Sequence, residues 1–160
     1  MRFLPHLALL LNPFIIAAGA RPANTKLQAP YCPPRPVTTA QRRAIFDEFV
    51  DKLYVERNGT RALLDHTPED YIQHNPFVLS GRDNGIEGLS FVSPDTVNFT
   101  IARRGVDGTL AFIHTRLDRV NGTQPTAAID LFRFEGSCLV EHWDVLQEVP
   151  ENAVNPLDMW

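Results

Sequence analysis

Basic runs are missing from this chain of 160 residues: 15 Lys and Arg are scattered along it, 19 Asp and Glu outnumber them, and the formal charge is −4. Without a lysine- or arginine-rich stretch there is no footprint for a phosphate backbone, which argues against nucleic acid as a partner. Cysteine is scarce as well. Two isolated cysteines, Cys32 and Cys138, do not make a metal centre. In an oxidising compartment they either bond to each other, tying a proline-rich N-terminal segment to a strand near the C-terminus, or stay as two thiols. No internal repeat or low-complexity block is visible.

A long uninterrupted apolar run is also lacking. The most apolar stretch, "MRFLPHLALLLNPFIIAAGA", carries Arg2, an apolar run broken at Asn12-Pro13, and the small residues Ala18-Gly19-Ala20. That is the layout of a secretory signal peptide over residues 1–20 rather than of a membrane span, so no membrane association is expected after cleavage. Cleavage leaves 140 residues and a charge of −5, which suits one domain with its own core. Three N-x-[ST] sequons, at Asn58, Asn98 and Asn121, agree with a glycosylated product of the secretory route, secreted or vesicular.

Residues 21–37 are proline-rich and aperiodic and read as an arm outside the core. From residue 38 the pattern changes. Thr38 with Gln41 forms a capping box, and Ile45, Phe46, Phe49, Val50 and Leu53 recur at helical spacing, leaving Arg42, Arg43, Asp47, Asp51 and Lys52 as a solvated face. "NGTRALLDH" predicts a short second helix ending before Pro68, with His66 as a loop residue. "EDYIQHNP" predicts a brief extended segment because Pro76 biases Asn75 away from the helical region, and "GIEGLSFV" a third helix. Strands are predicted over 96–104, 109–119, 126–134 and 138–147. Residues 38–148 thus form an α+β domain whose antiparallel sheet curls against its N-terminal helices, with 149–160 as a C-terminal tail.

The last hairpin carries the chemistry. With Glu135-Gly136-Ser137 as a three-residue loop, Phe134 pairs with Cys138 and Asp130 with His142; Asp130, Phe132, His142 and Asp144 then share one face, and Leu131, Trp143 and Val145 the other. A two-residue loop would send Asp130 to the opposite face. Charged groups among Phe, Val and Leu must be paired, wet or functional. His142 and Asp144 lie about 6.6 Å apart along a strand, and enclosure by apolar walls raises a carboxylate's pKa, making it usable as proton acceptor and donor. A buried His142–Asp130 pair with a purely structural role explains the same residues. "HWD" also supplies the first half of an iron facial triad, but no histidine follows His142, and completion from His74 or His114 upstream is not expected; neither metal nor cofactor is anticipated.

"DYIQHNP" and "DLFRFEGSCLVEHWDVLQ" together resemble SnoaL-like polyketide cyclases and their aldol-condensation relatives, within the superfamily of nuclear transport factor, ketosteroid isomerase and scytalone dehydratase; the likeness covers roughly residues 40–148. The resemblance implies a cone-shaped fold, a curved sheet around helices with a deep pocket, often dimeric through the outer sheet face. It implies Asp144 as the acid/base and His74 as a histidine delivered to the pocket by the first half of the chain. At the position of Asp130 such cyclases can carry a histidine, and Gly136-Ser137 stands in place of their Asp-Gly turn. His142, His74 or Asp130 could donate the proton, while Tyr71, His114 and Phe132 are candidate substrate contacts and Tyr71 and Gln73 candidate orienting groups; ordinary strand packing explains Tyr71 equally, a solvent-facing amide Gln73, and a packed sheet position His114.

Two functions follow. One is a cofactor-independent cyclase, isomerase or dehydratase of secondary metabolism acting on a small, hydrophobic polyketide- or terpenoid-like carbonyl compound. The other is a non-catalytic module that binds a hydrophobic ligand or dimerises. The apolar outer face around Leu131, Trp143 and Val145 predicts a homodimer, or cover by the C-terminal tail.

Overall fold

The computed structural model describes residues 27–122 and 124–160; the leader expected at 1–20 and the first part of the 21–37 segment lie outside them. Helix α1 (Thr39–Val50) opens with the full capping box: Thr38 Oγ1 accepts from the Gln41 amide, and Gln41 Oε1 from the Thr38 amide. It runs directly into a π-helical turn, Asp51–Val55. Helix α2 (Gly59–His66), the two-residue strand β1 (Ile72–Gln73) and helix α3 (Arg82–Gly88) follow, then four long strands, β2 (Val97–Asp107), β3 (Leu110–Arg119), β4 (Thr126–Glu135) and β5 (Cys138–Glu148). The sheet order is β1-β5-β4-β3-β2, antiparallel except for β1, which lies parallel to β5. The expected α+β class with a curved sheet over N-terminal helices is what the chain adopts, the brief extended segment of "EDYIQHNP" joining the four long strands as β1.

Alternation builds the core. Ala111, Ile113, Thr115 and Leu117 on β3 and Ala128, Phe132 and Phe134 on β4 are buried under the helices. Phe49 meets Phe132 edge-on at 5.0 Å, and Phe46 lies 5.9 Å from Phe132 and 6.5 Å from Phe134, favourable aromatic geometries that add to the area they bury.

Three expectations are corrected. The segment read as an arm belongs to the core from residue 27: Tyr31 is 2% exposed, its hydroxyl donates to Glu48 Oε2 at 2.6 Å, and Leu27, Ala29 and Val37 pack beside it. Aperiodicity hid this, because a chain without repeating structure can still bury single side chains. A Cys32–Cys138 disulfide and hydrogen bonds among Tyr31, Arg35 and Ser137 fasten it to the β4–β5 hairpin. Gly136 in that hairpin has φ +54°, and a Cβ there would collide with the backbone of Arg35, so both backbone conformation and close approach call for glycine.

Second, Lys52 is not on a solvated face. The wide π turn buries Lys52, Leu53 and Tyr54 in succession, and the Lys52 ammonium sits 2.6 Å from both Glu48 and Asp65, the pairing a buried charge requires. Third, His66 is the last residue of α2, fully buried between the rings of Tyr31 and Phe49. Its Nδ1 lies 2.9 Å from the Ala62 carbonyl, while Nε2 has no partner among the described residues.

Burial, reinforced by the charge of Lys52 and opposed by Glu48 and Asp65, pushes the His66 imidazole down to about 4. In the unfolded chain it titrates near about 6.5, so below that pH the unfolded state takes up a proton that the folded state refuses. Stability from this residue is intact above about pH 6.5 and falls toward pH 4, by up to about 3 kcal/mol. Urea denaturation near pH 7.5 and pH 4 should show that loss in the parent and a correspondingly smaller one in His66→Phe; equal losses would remove His66 as the cause.

Candidate functional site

Register on the two sides of β5 assembles the site. The hairpin loop has two residues, Glu135 pairing with Cys138, not the three expected; on that count Asp130 should have left the shared face. A bulge prevents it. Phe134 pairs with Leu139 but Arg133 with Glu141, so Val140 is skipped, and from there Phe132 faces His142 and Asp130 faces Asp144. The extra residue restores parity, and Asp130, Phe132, His142 and Asp144 again share the inner face, with Asp144 rather than His142 opposite Asp130.

On the other side β1 runs parallel, Ile72 beside Glu141 and Gln73 beside His142. Continuing that register past the strand sets His74 against Trp143 and Asn75 against Asp144, and the side chains obey it. The His74 ring stacks on the Trp143 indole at 4.8 Å and 7°, with Nε2 2.9 Å from Glu141 Oε1, on the outer face. His74 therefore does not enter the pocket, contrary to the expectation from the resemblance; alternation delivers its two neighbours instead. Gln73 Oε1 lies 2.7 Å from His142 Nδ1, and the Asn75 amide donates to Asp144 Oδ2 at 2.6 Å. His114 is misplaced for the same reason. On β3 the odd residues face inward, so His114 points out and accepts from Arg103 at 3.0 Å.

His142 Nε2 lies 3.0 Å from Asp130 Oδ1, completing a chain Gln73–His142–Asp130 beside the pair Asn75–Asp144. Two carboxylates directly opposite one another repel; the imidazole and the carboxamide between and beside them offset that. Tyr71 and Phe132 line the same cavity, and so does Tyr54, which the sequence analysis did not single out although it continues the apolar stripe four residues beyond Val50. Burial first, then the charge of Asp130, pushes both phenols well above their usual value, so they remain hydrogen-bond donors at neutral pH.

The cavity measures about 490 Å³. Phe49, Leu53, Leu63, Leu89, Val92 and Phe99 make its walls, the polar group described above forms one corner, and exposed Phe77, Phe91 and Leu146 lie at its rim with Arg119 and Glu148. Asp130, His142 and Asp144 are also the one grouping among the described residues able to close on a metal ion, their ligand atoms lying within 4.8 Å of one another. To do so His142 would have to give up Asp130 or Gln73.

No protein-family model and no curated protein matches the chain. Solved structures do. An NTF-2 like protein of unknown function from Burkholderia xenovorans LB400 superposes with a TM-score of 0.57 at 19% identity, over 71% of this chain and 91% of that one. A candidate ketosteroid isomerase from Kribbella flavida DSM 17836 gives 0.57 at 19%, over 73% and 85%. A candidate SnoaL-like polyketide cyclase from Jannaschia sp. CCS1 gives 0.52 at 13%, over 64% and 85%. The fold is thus the cone shared by NTF2-like proteins, ketosteroid isomerases and polyketide cyclases, as the resemblance implied.

A pocket of this size and lining has room for one small apolar molecule. Nile red, a neutral apolar dye, should bind once per chain. Leu89→Trp, which fills the cavity, should weaken it at least about tenfold, a change of about 1.4 kcal/mol, while His74→Ala leaves it unchanged; equal effects would place the dye elsewhere.

Proposed function

We propose that this protein is a cofactor-independent acid/base enzyme, a cyclase, isomerase or dehydratase, acting on a polyketide- or terpenoid-like carbonyl compound of secondary metabolism. One observation carries the reading: two carboxylates, an imidazole and two phenols gather at a single corner of an otherwise hydrocarbon-walled cavity. A pocket that only held an apolar ligand would have no use for facing carboxylates, which cost stability there.

Asp144 is the base. Its Oδ2 is engaged by Asn75, and Oδ1 has no hydrogen-bond partner among the described residues. It takes a proton from the carbon beside the substrate carbonyl, and the electron pair left behind delocalises into an enolate. That enolate either attacks a second carbonyl, forming a carbon–carbon bond, or expels a leaving group. The proton needed by the resulting oxyanion or leaving oxygen comes from the His142–Asp130 pair, with the Tyr54 and Tyr71 hydroxyls stabilising the charge as it develops. The substrate itself is the compound that accumulates when the gene is deleted. On that compound Asp144→Asn should lose about 10²- to 10⁴-fold in kcat while ligand affinity is kept; undiminished turnover would leave only ligand binding.

The same proposal places the protein on the secretory route as a glycosylated homodimer, free of the membrane once its leader is removed. The leader's layout, the Cys32–Cys138 bond and the exposure of Asn58, Asn98 and Asn121 support the route, and no helix among the described residues is long and apolar enough to cross a membrane. Asn58 caps α2 through its side-chain oxygen, the atom a glycan linkage leaves in place. Exposed Phe112, Ile129 and Val145 on the outer face support the dimer; the tail lays Trp160 over Arg116 on that face without covering them. Light scattering before and after glycosidase digestion reads sugar and subunit mass together. A dimer that Val145→Lys dissociates, and that sheds mass on digestion, is the expected outcome; a concentration-independent monomer or an unchanged mass removes the corresponding part.

A further inference from the structure

Two carboxamides sit in the acid/base corner, and each is held in one orientation by a backbone N–H. The Asn75 amide nitrogen donates to Gln73 Oε1 at 3.1 Å. Were Gln73 turned over, its NH₂ would face that N–H donor to donor, leaving a half-buried polar group unsatisfied at a cost of about 1–3 kcal/mol. Likewise the Phe77 amide donates to Asn75 Oδ1 at 2.8 Å, closing an Asx turn and pointing the Asn75 NH₂ at Asp144.

We infer that Gln73 and Asn75 are positioning residues that fix which atoms of the site carry hydrogen: His142 is protonated on Nδ1, and its proton traffic passes through Nε2 alone. The argument rests on the acid/base reading of the same corner. An oxygen 2.7 Å from Nδ1 can only accept, so Nδ1 donates to it. Nε2 then faces the Asp130 carboxyl at 3.0 Å, and one hydrogen lies between them, on either atom. That shared hydrogen is the one the site can give away; when it leaves, Nε2 and Asp130 are both acceptors, and the pair is recharged by the hydrogen that Asp144 has removed from substrate. Asn75, offering only N–H to Asp144 Oδ2, keeps Asp144 an acceptor on that side and leaves Oδ1 as the oxygen available to take a proton. The base and the acid are separated in this way although Asp130 and Asp144 face each other across the strands. His74, between the two carboxamides, takes no part.

Two-bond ¹H–¹⁵N correlation spectra of the ¹⁵N-labelled full chain report each imidazole's tautomer directly and need no substrate. His142 in the parent should show a protonated Nδ1. Gln73→Leu, which removes the acceptor, should move that hydrogen to Nε2; Gln73→Glu, which restores an oxygen at the same place, should return it to Nδ1. His66, His74 and His114 serve as internal controls, unchanged signals from them marking a folded variant. A parent His142 bare at Nδ1, or a Gln73→Leu spectrum identical to the parent's, overturns the inference. Because the readout is structural, a protein that shows the tautomer but no turnover refutes the proposed enzyme while leaving the positioning role standing.

Discussion

Everything at the candidate site depends on one unpaired residue in the sheet, Val140. The tight Gly136-Ser137 turn, by itself, would put Asp130 and His142 on opposite sides of β4–β5, one in the core and one in solvent. Skipping Val140 shifts the remainder of β5 by one position against β4. Cys138, Leu139 and Val140 are buried in a row at this end of β5, where the segment carrying Tyr31 and Cys32 is fastened to the hairpin. The cost is a locally broken ladder and the gain is that every inward residue from His142 onward meets its partners.

β5 is therefore the reference line for both halves of the site. Its bulged edge aligns Asp130 from β4, and its other edge aligns Gln73 and Asn75 through a parallel pairing only two residues long. Around this line the burial runs in a gradient. Phe49, Tyr54, Tyr71 and Phe132 are almost fully enclosed, His142 is 8% exposed, and Phe77 and Leu146 stand open to solvent. The polar groups of the candidate site thus lie where water is scarce and interactions between charges are strong, behind a rim of Phe77, Phe91 and Leu146 with Arg119 and Glu148.

The fold class was legible because helical and strand periodicities are written into α1 and the four long strands, and the capping box at Thr38 marked where α1 begins. Asp130, Phe132, His142 and Asp144 were assigned to one face by a loop length that the structure corrects, and the bulge cancelled that error. Bulges leave no period in a sequence, so neither the error nor its cancellation could be seen. His74 was drawn toward the pocket by the family resemblance and His114 by residue chemistry, but which face a side chain occupies is set by parity, and a two-residue strand such as β1 offers no alternation to count. The inward carboxamides of Gln73 and Asn75 could have been found only by knowing that β1 runs beside β5. Lys52 escaped for a related reason, since a π turn changes the helical repeat locally and nothing in "DKLYV" announces it; Tyr54 lay on the apolar stripe of α1 and was legible by its spacing from Val50.

The bond between Cys32 and Cys138 joins residues 106 positions apart. As the chain is synthesised, Cys32 is exposed long before its partner exists, and the two can meet only after all of the helices and nearly all of the sheet have been made. Closure of this cross-link accordingly waits until the first residue of β5 has been made, and once closed it ties the start of the described chain to the hairpin from which the candidate site is hung.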